Sequence, residues 1–219
     1  MRWKAPAAAA VIAALLAGCA STPSGGPPPP PPGPGAGPIL PDWQASIREY
    51  DRDRLARLGE AWETALDQAI RDGHREKLRA LGNLPDPDAA LRDPLPPPGN
   101  YRCRTVKLGA RPGGPGLSFV SYSWFKCRID QTSRGLKLSK INGSQRQAGL
   151  IFPDTERRGV FLGAMSIGSE PAATVYGGPD SERNIVGVVQ RIGPAQWRLV
   201  QPWPMLESNL DLLELVPAG

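Results

Sequence analysis

Three residues in the C-terminal half of the chain have the types that bind anions or form ion pairs. Arg146 stands in an otherwise apolar stretch, and an arginine that becomes buried there needs carboxylate or carbonyl partners. Glu207 or Asp211 could supply the carboxylate. The sequence predicts either a structural ion pair inside the fold, which we favour, or a clamp that holds an anionic ligand.

A serine and a lysine could form a nucleophilic pair. Ser144 and Lys140 flank a predicted hairpin turn at Asn142-Gly143, and a buried lysine can activate a serine hydroxyl. However, nothing in the sequence desolvates Lys140, and adjacent strand residues such as Ser139 and Lys140 point to opposite faces. We therefore do not predict a catalytic pair here.

Acidic residues near the C-terminus offer a weak pattern for glycoside cleavage. Glu207 and Asp211 share one face of a predicted strand and Glu214 lies on the other, but no second element supplies a recognisable partner carboxylate. His74 is the single histidine, so a multi-histidine metal site is excluded. We predict no catalytic residue, no metal site and no cofactor, and interpret the chain as a protein without enzymatic activity.

Cys19 follows a segment with the layout of a bacterial lipoprotein signal peptide. Arg2 and Lys4 precede an apolar run over 5–16, and a Leu-Ala-Gly tripeptide then leads to the cysteine. The run is shorter than the roughly 20 residues needed to span a bilayer. The sequence predicts cleavage after residue 18 and acylation of Cys19. Ala20, in place of aspartate, favours the outer membrane, with the mature chain lipid-anchored and facing the periplasm.

The other two cysteines, Cys103 and Cys127, predict a disulfide. An exported protein folds in an oxidising compartment, and the chain has no Cys-x-x-Cys motif that would indicate a redox role. A bridge of this span stabilises a fold by roughly 3.5 kcal/mol in the chain-entropy description.

Charge composition bears on the partners. The chain has 26 Lys and Arg against 21 Asp and Glu, a net charge of +5. A mildly basic exported domain could contact anionic lipid, although an ordinary solvated surface is the simpler interpretation. Nucleic acid is excluded as a partner. The predicted partners are the membrane, through the N-terminal lipid, and either an envelope protein or an apolar small molecule.

Composition divides the chain into four parts. A signal peptide covers 1–18, and the lipidated cysteine with a Pro/Gly-rich tether covers 19–41. A helical segment with a Pro-rich connector covers 42–98, and an antiparallel β domain covers 99–219.

The helical segment shows an apolar stripe at three- and four-residue spacing. Asp51 is the predicted N-cap, and Gly73 is expected to divide the segment into a helical hairpin. The stripe consists of Leu55, Leu58, Trp62, Leu66 and Ile70, broadened by Ala61, Ala65 and Ala69.

Short β-prone runs separated by turn signals follow the connector. Eight or nine strands at this spacing predict an α+β fold, in which a helical hairpin precedes a small antiparallel β-barrel, similar to a lipocalin-like cup, or a sandwich. The predicted strands lie near 100–108, 117–129, 134–141, 145–152, 157–166, 172–176, 184–193, 195–201 and 208–216.

A set of ordered motifs in the same region resembles an uncharacterised bacterial envelope family, domain-of-unknown-function family 4893. The motifs include LPPPGNYRCR from Leu95, FKCRI from Phe125, GSQR from Gly143, VFLG from Val160 and WRLV from Trp197. The resemblance runs from about residue 42 to the end of the chain. It implies a paired cysteine and a small barrel, and it assigns no activity.

These observations favour a non-catalytic binding or scaffolding role in the cell envelope. Three alternatives stay open: a carrier of an apolar ligand, a protease-inhibitor-like module with an ordered N-terminal arm, and a carboxylate-dependent hydrolase of cell wall or glycan. The carrier predicts a hollow barrel lined by Leu136, Leu138, Val160, Leu162 and Trp197.

Overall fold

The fold is described from a computed structural model for residues 42–113, 116–171, 176–178 and 181–219. The predicted signal peptide, Cys19 and the tether lie outside the described residues and stay predictions. So does the predicted strand 172–176, except for Tyr176, which stands in a turn.

Four short helices open the described chain. They are α1 (Trp43–Ser46), α2 (Glu49–Ala56), α3 (Leu58–Arg71) and α4 (Arg75–Arg79). The helical segment that the apolar stripe predicts is therefore present, divided into four pieces.

Asp51 is not the N-cap that the sequence predicts. It lies inside α2, is 1% exposed, and accepts a 2.8 Å hydrogen bond from Arg54. Asp42 caps α1, where its carboxylate accepts from the backbone N–H of Gln44 at 2.8 Å. A capping rule depends on local sequence, whereas tertiary burial decides the role of Asp51.

Nine strands follow. They are β1 (Gly99–Ala110), β2 (Phe119–Ser121), β3 (Phe125–Thr132), β4 (Gly135–Lys140), β5 (Gln145–Thr155), β6 (Arg158–Ile167), β7 (Asn184–Gly193), β8 (Gln196–Pro202) and β9 (Ser208–Pro217). The predicted strand 117–129 is divided into β2 and β3.

Eight of these strands close into an antiparallel barrel. Neighbours in sequence pair in order from β3 to β9, and β1 completes the ring by pairing with both β3 and β9. The β1–β9 ladder runs from Tyr101↔Pro217 to Ala110↔Ser208. The short strand β2 pairs with the C-terminal half of β1. This continuous ring is a barrel and not a sandwich, because a sandwich keeps two separate sheets.

An inner cluster of apolar side chains from all eight long strands fills the barrel. Leu138 and Trp197 belong to it and Leu136 packs against it, as predicted for residues that face inward. Val160 and Leu162 lie instead in the cluster on the outer side of the barrel. Side chains alternate along a strand, and Phe161 takes the inward position between these two residues. The described strands thus enclose a packed core and not the hollow expected of a carrier.

The outer cluster lies between the barrel wall and the helices. Ala61, Ala65 and Ala69 of α3 are fully buried in it. Gly109 of β1 has a φ of +68°, and a Cβ there would lie 3.0 Å from the Cα of Ala65. Small residues on both sides therefore let α3 lie close against β1.

The predicted disulfide is confirmed. Cys103 on β1 and Cys127 on β3 are bonded inside the barrel, and neither is more than 2% exposed. The bridge links two strands that already pair with each other.

The two ends of the barrel differ. At one end, which we call the apolar end, Tyr101 packs edge-on against Trp197 with ring centroids 6.1 Å apart, and the connector 83–98 crosses the barrel. The opposite end, which we call the polar end, carries the described residues of 111–124, 141–144, 168–183 and 203–207. The polar end holds the candidate site.

Candidate functional site

Polar side chains occupy the inward positions of the strands that reach the polar end. Alternate residues of each strand face inward; along most of the interior they are apolar, and near the polar end they are polar. They are Thr105 and Lys107 of β1, Lys140 of β4, Gln147 of β5, Gln201 of β8 and Asp211 of β9, all of them buried.

Lys107 lies at the centre of a buried ion cluster. Its Nζ is 3.1 Å from Oδ2 of Asp211 and 3.3 Å from Oε2 of Glu207. The hydroxyl of Ser208 also donates to Asp211. Burial alone would lower the pKa of Lys107, but Asp211 and Glu207 together raise it. Lys107 is therefore held as an ammonium whose charge is already compensated.

Glu207 reaches this cluster from the loop before β9. Its backbone φ of +68° is rare for a residue with a side chain, and its carboxylate is 39% exposed. A Cβ on Gly116 would lie only 2.3 Å from the carbonyl oxygen of Glu207, so the β1–β2 loop passes directly over this residue. Glu207 thus stands between the buried ion cluster and solvent.

Lys140 is the second buried lysine of the polar end, and its environment differs from that of Lys107. It is 6% exposed, donates a 2.7 Å hydrogen bond to the carbonyl of Gln145, and lies 3.8 Å from the ring centroid of Phe125. Burial, and then the positive charges of Arg146 and Lys107, lower the pKa of Lys140 to about 8. Among the described residues, no carboxylate forms an ion pair with Lys140.

A cavity of about 190 Å³ opens beside Lys140. Residues with hydroxyl groups, one with an amide side chain, one ammonium and one glutamate line it, and the carboxylate of that glutamate, Glu207, is paired with Lys107. The ammonium and the hydroxyls are groups that bind a small polar or anionic group. The lining residues are Thr105, Tyr122, Phe125, Lys140, Ser144, Gln145 and Glu207. Lys140 and Ser144, the two residues weighed as a nucleophilic pair, thus face the same space. The expectation that nothing desolvates Lys140 is wrong.

Arg146 does not take part in the ion cluster. Its guanidinium donates to the carbonyls of Gly143 at 3.0 Å, Gly168 at 2.5 Å and Glu170 at 2.6 Å. Among the described residues, the cation beside Glu207 and Asp211 is Lys107, so the predicted pairing of Arg146 with these carboxylates is not formed. The reason is alternation: Gln147 faces inward on β5, which directs its neighbour Arg146 outward to the loops.

The remaining candidate residues lie away from this cavity. Glu214 pairs with Arg104 on the outside of the barrel at 2.5 Å. His74 precedes α4, and its ring centroid is 5.4 Å from that of Phe119. Within the described residues, no group of three or more His, Cys, Asp or Glu side chains could hold a metal ion.

Sequence reasoning missed Lys107, and it considered Lys140 without predicting its burial, although a signal for that burial was present. Leu136 and Leu138 were predicted to face inward, and Lys140 shares their face of β4 because it follows at the same two-residue spacing. Lys107 likewise shares the face of Cys103 on β1.

A second buried ion pair joins α2 to the loops of the polar end. Asp51 and Arg54 lie 2.8 Å apart with their side chains 2% and 3% exposed. The hydroxyl of Tyr176 donates to Asp51 at 2.7 Å, and Arg54 donates to the carbonyls of Pro202 and Asn184. The helical segment therefore fixes the loop before β7 and the end of β8.

A wider groove of about 500 Å³ lies on the outside of the barrel, lined in part by Ser46, Lys137, Leu150 and Leu162. Its described lining includes no buried charged side chain, so it offers less to fix a ligand than the cavity beside Lys140.

None of the helices in the described residues has the length and apolar character to cross a bilayer.

Comparison with known families gives one match. Curated proteins and solved structures give none. The match covers residues 43–215, from α1 into strand β9, and so includes the ion cluster and the cavity. The chain belongs to the family described as "Domain of unknown function (DUF4893)".

Proposed function

We propose that the chain is a lipid-anchored protein of the cell envelope that binds a small ligand with an anionic group at the polar end of its barrel. The role is non-catalytic. The observation that carries the proposal is the ammonium of Lys140, which is buried, faces a cavity and has no carboxylate partner among the described residues.

The comparison with Lys107 supports an anionic ligand. Lys107 has two carboxylates within 3.3 Å, whereas Lys140 has one carbonyl and the face of Phe125. A buried charge without a counter-ion is costly. A carboxylate or phosphate group in the cavity would compensate it and accept from the hydroxyls of Thr105 and Ser144 as well.

The packed interior argues against the carrier of an apolar ligand. The inner cluster occupies the barrel between its two ends, so a ligand would bind at the polar end and not within the wall. The protease-inhibitor alternative concerns the N-terminal arm, which lies outside the described residues.

Sulfate is a suitable probe for the cavity, because it stays doubly charged across the pH range in which Lys140 titrates. The full chain carrying Cys19→Ser should bind sulfate near pH 7, with NMR shifts at the amides of Ser144 and Gln145. Lys140→Met should weaken binding about tenfold or more, since a charge-assisted hydrogen bond is lost. Lys137→Met, on the same strand with its side chain outward, is the control. Equal binding by the two variants would overturn the proposal.

Location in the envelope depends on Cys19 and the leader before it. Fractionation of cells that express the chain should place it in the outer membrane, and Cys19→Ser should release it from that fraction or leave it unprocessed. Unchanged membrane association of a processed Cys19→Ser chain would contradict lipid anchoring.

A second candidate function rests on the shared cavity of Ser144 and Lys140. A lysine with a lowered pKa can act as the base for a serine nucleophile in acyl transfer. A fluorophosphonate probe that labels the wild-type chain, but neither Ser144→Ala nor Lys140→Met, would favour this candidate over non-catalytic binding.

A further inference from the structure

Large exposed apolar side chains concentrate at the polar end. The described residues include seven such side chains, and five of them lie on loops of this end. The five, which we call the rim, are Leu117, Tyr122, Trp124, Ile141 and Leu206. Leu117 is 68% exposed and Ile141 is 52% exposed, values that are unfavourable in water unless a partner covers them.

The loops of the rim adjoin one another around the cavity. Gly116 lies against the backbone of Glu207, which places the neighbouring Leu117 beside the loop of Leu206. Tyr122 lines the cavity itself, and the backbone N–H of Ile141 donates to the carbonyl of Lys126 at 2.8 Å. The rim is therefore one surface.

Cations stand between the apolar residues of the rim. The guanidinium of Arg102 lies over the ring of Trp124 at 5.0 Å, and Lys126 is bonded through its backbone to Ile141. Arg111 donates to the carbonyl of Met205 at 2.6 Å, next to Leu206. All three cations are exposed, and none forms an ion pair with a described carboxylate.

We propose that the rim is a peripheral membrane-binding surface for a bilayer with anionic headgroups. Leucine and isoleucine side chains enter the boundary between headgroups and acyl chains, while the tryptophan and tyrosine rings lie at headgroup depth. The three cations contact the phosphates. The proposal goes beyond ligand binding in the cavity and does not depend on acylation of Cys19.

The interleaving of cations with apolar residues favours a lipid surface over a protein partner. Protein–protein interfaces are depleted of lysine although arginine is enriched in them, so it is Lys126 among the three cations that argues against a protein partner. In the rim each exposed cation adjoins an apolar residue, which is the arrangement typical of surfaces that lie on anionic lipid.

An environment-sensitive label tests the proposal on the full chain. Leu117→Cys or Ile141→Cys, in the Cys19→Ser chain, carries a nitrobenzoxadiazole dye, and Leu91→Cys at the apolar end is the control. Leu91 is 40% exposed, so its label is also accessible to vesicles. Vesicles contain phosphatidylcholine alone or equal parts of phosphatidylcholine and phosphatidylglycerol.

The labels at 117 and 141 should shift to the blue and brighten on the anionic vesicles, and the label at 91 should not. Because the three positions share one chain, a contribution of the leader to vesicle binding affects them alike. Replacing Arg102, Arg111 and Lys126 by glutamine should lower the affinity for the anionic vesicles about fivefold for each cation removed. Labels at 117 and 141 that respond no more than the label at 91 would overturn the proposal.

Discussion

The two ends of the barrel use a buried cation in opposite ways. Near the apolar end, Arg198 is fully buried, lies 5.0 Å from the ring of Trp62, and donates to the carbonyls of Asn83, Leu84 and Asp86. At the polar end, Lys140 is nearly as buried but donates to one carbonyl. A cation whose donors are all used stabilises the fold, whereas a cation with unused donors is available to a ligand.

The apolar end is closed by the connector. The hydroxyl of Tyr101 donates to the carbonyl of Pro97 at 2.7 Å, and the backbone of Leu91 bridges to Arg191. Within the described residues, the indole N–H of Trp197 is the one buried side-chain polar group without a hydrogen-bond partner. Apart from that N–H, the buried side-chain polar atoms of the described residues at this end form hydrogen bonds within the protein.

The largest expected effect concerns Arg198. Arg198→Met should lower the free energy of unfolding by about 3–5 kcal/mol, because it leaves several connector carbonyls buried without donors. Urea unfolding measures the change. Arg157, which is exposed and donates to Ala90 of the same connector, is the control, and Arg157→Met should stay within about 0.5 kcal/mol of wild type. A similar loss in both variants would show that Arg198 has no special role.

The disulfide lies in the wall between the two ends, so its removal should affect both. Cys103→Ala together with Cys127→Ala should lower stability by about 3.5 kcal/mol. Amide hydrogen exchange should increase at both ends of β1. Faster exchange confined to one end would mean that the two ends unfold independently.

Lys107 and Lys140 allow a comparison within the polar end. Lys107→Met should lower stability by about 3 kcal/mol, because Asp211 is then buried without its cation. The double variant Lys107→Met/Asp211→Leu should recover most of that loss in thermal unfolding. If the double variant is less stable than Lys107→Met alone, the fold needs the ion cluster itself, and mutual neutralisation of its charges is not its whole contribution.

The smallest expected effect has the opposite sign. Lys140→Met should raise stability near pH 7 by on the order of 1 kcal/mol, since it removes a buried charge that lacks a counter-ion. The folded pKa of Lys140, about 8, lies below the ordinary value of 10.5, so wild-type stability rises relative to the variant between these pH values. The advantage of Lys140→Met should therefore shrink from pH 8 upward. An unchanged advantage at high pH would contradict the lowered pKa.

Much of the barrel wall could be predicted from the sequence, because alternation and turn signals are local. Eight predicted strands fall on observed ones. The break between β2 and β3 could not be predicted. It arises because the backbone N–H of Tyr122 donates to the carbonyl of Thr105, while β3 pairs with the N-terminal part of β1. That division depends on a contact between distant parts of the chain.

The candidate site was harder to predict than the wall. Asp211 and Glu207 were identified, but their cation was assigned to Arg146 and not to Lys107. Which face of each strand turns inward follows from closure of β1 onto β9, a pairing that no local pattern specifies. The desolvation of Lys140 depends on the same closure.

The most direct test of the proposed ligand site is the pKa of Lys140, followed by NMR at its side-chain Cε and Nζ with and without sulfate. The signal is assigned by its loss in Lys140→Met and its retention in Lys137→Met. We expect a midpoint near 8 without sulfate, which moves upward when sulfate binds because the anion stabilises the ammonium. A midpoint at the ordinary value of 10.5 that sulfate does not move would contradict the account.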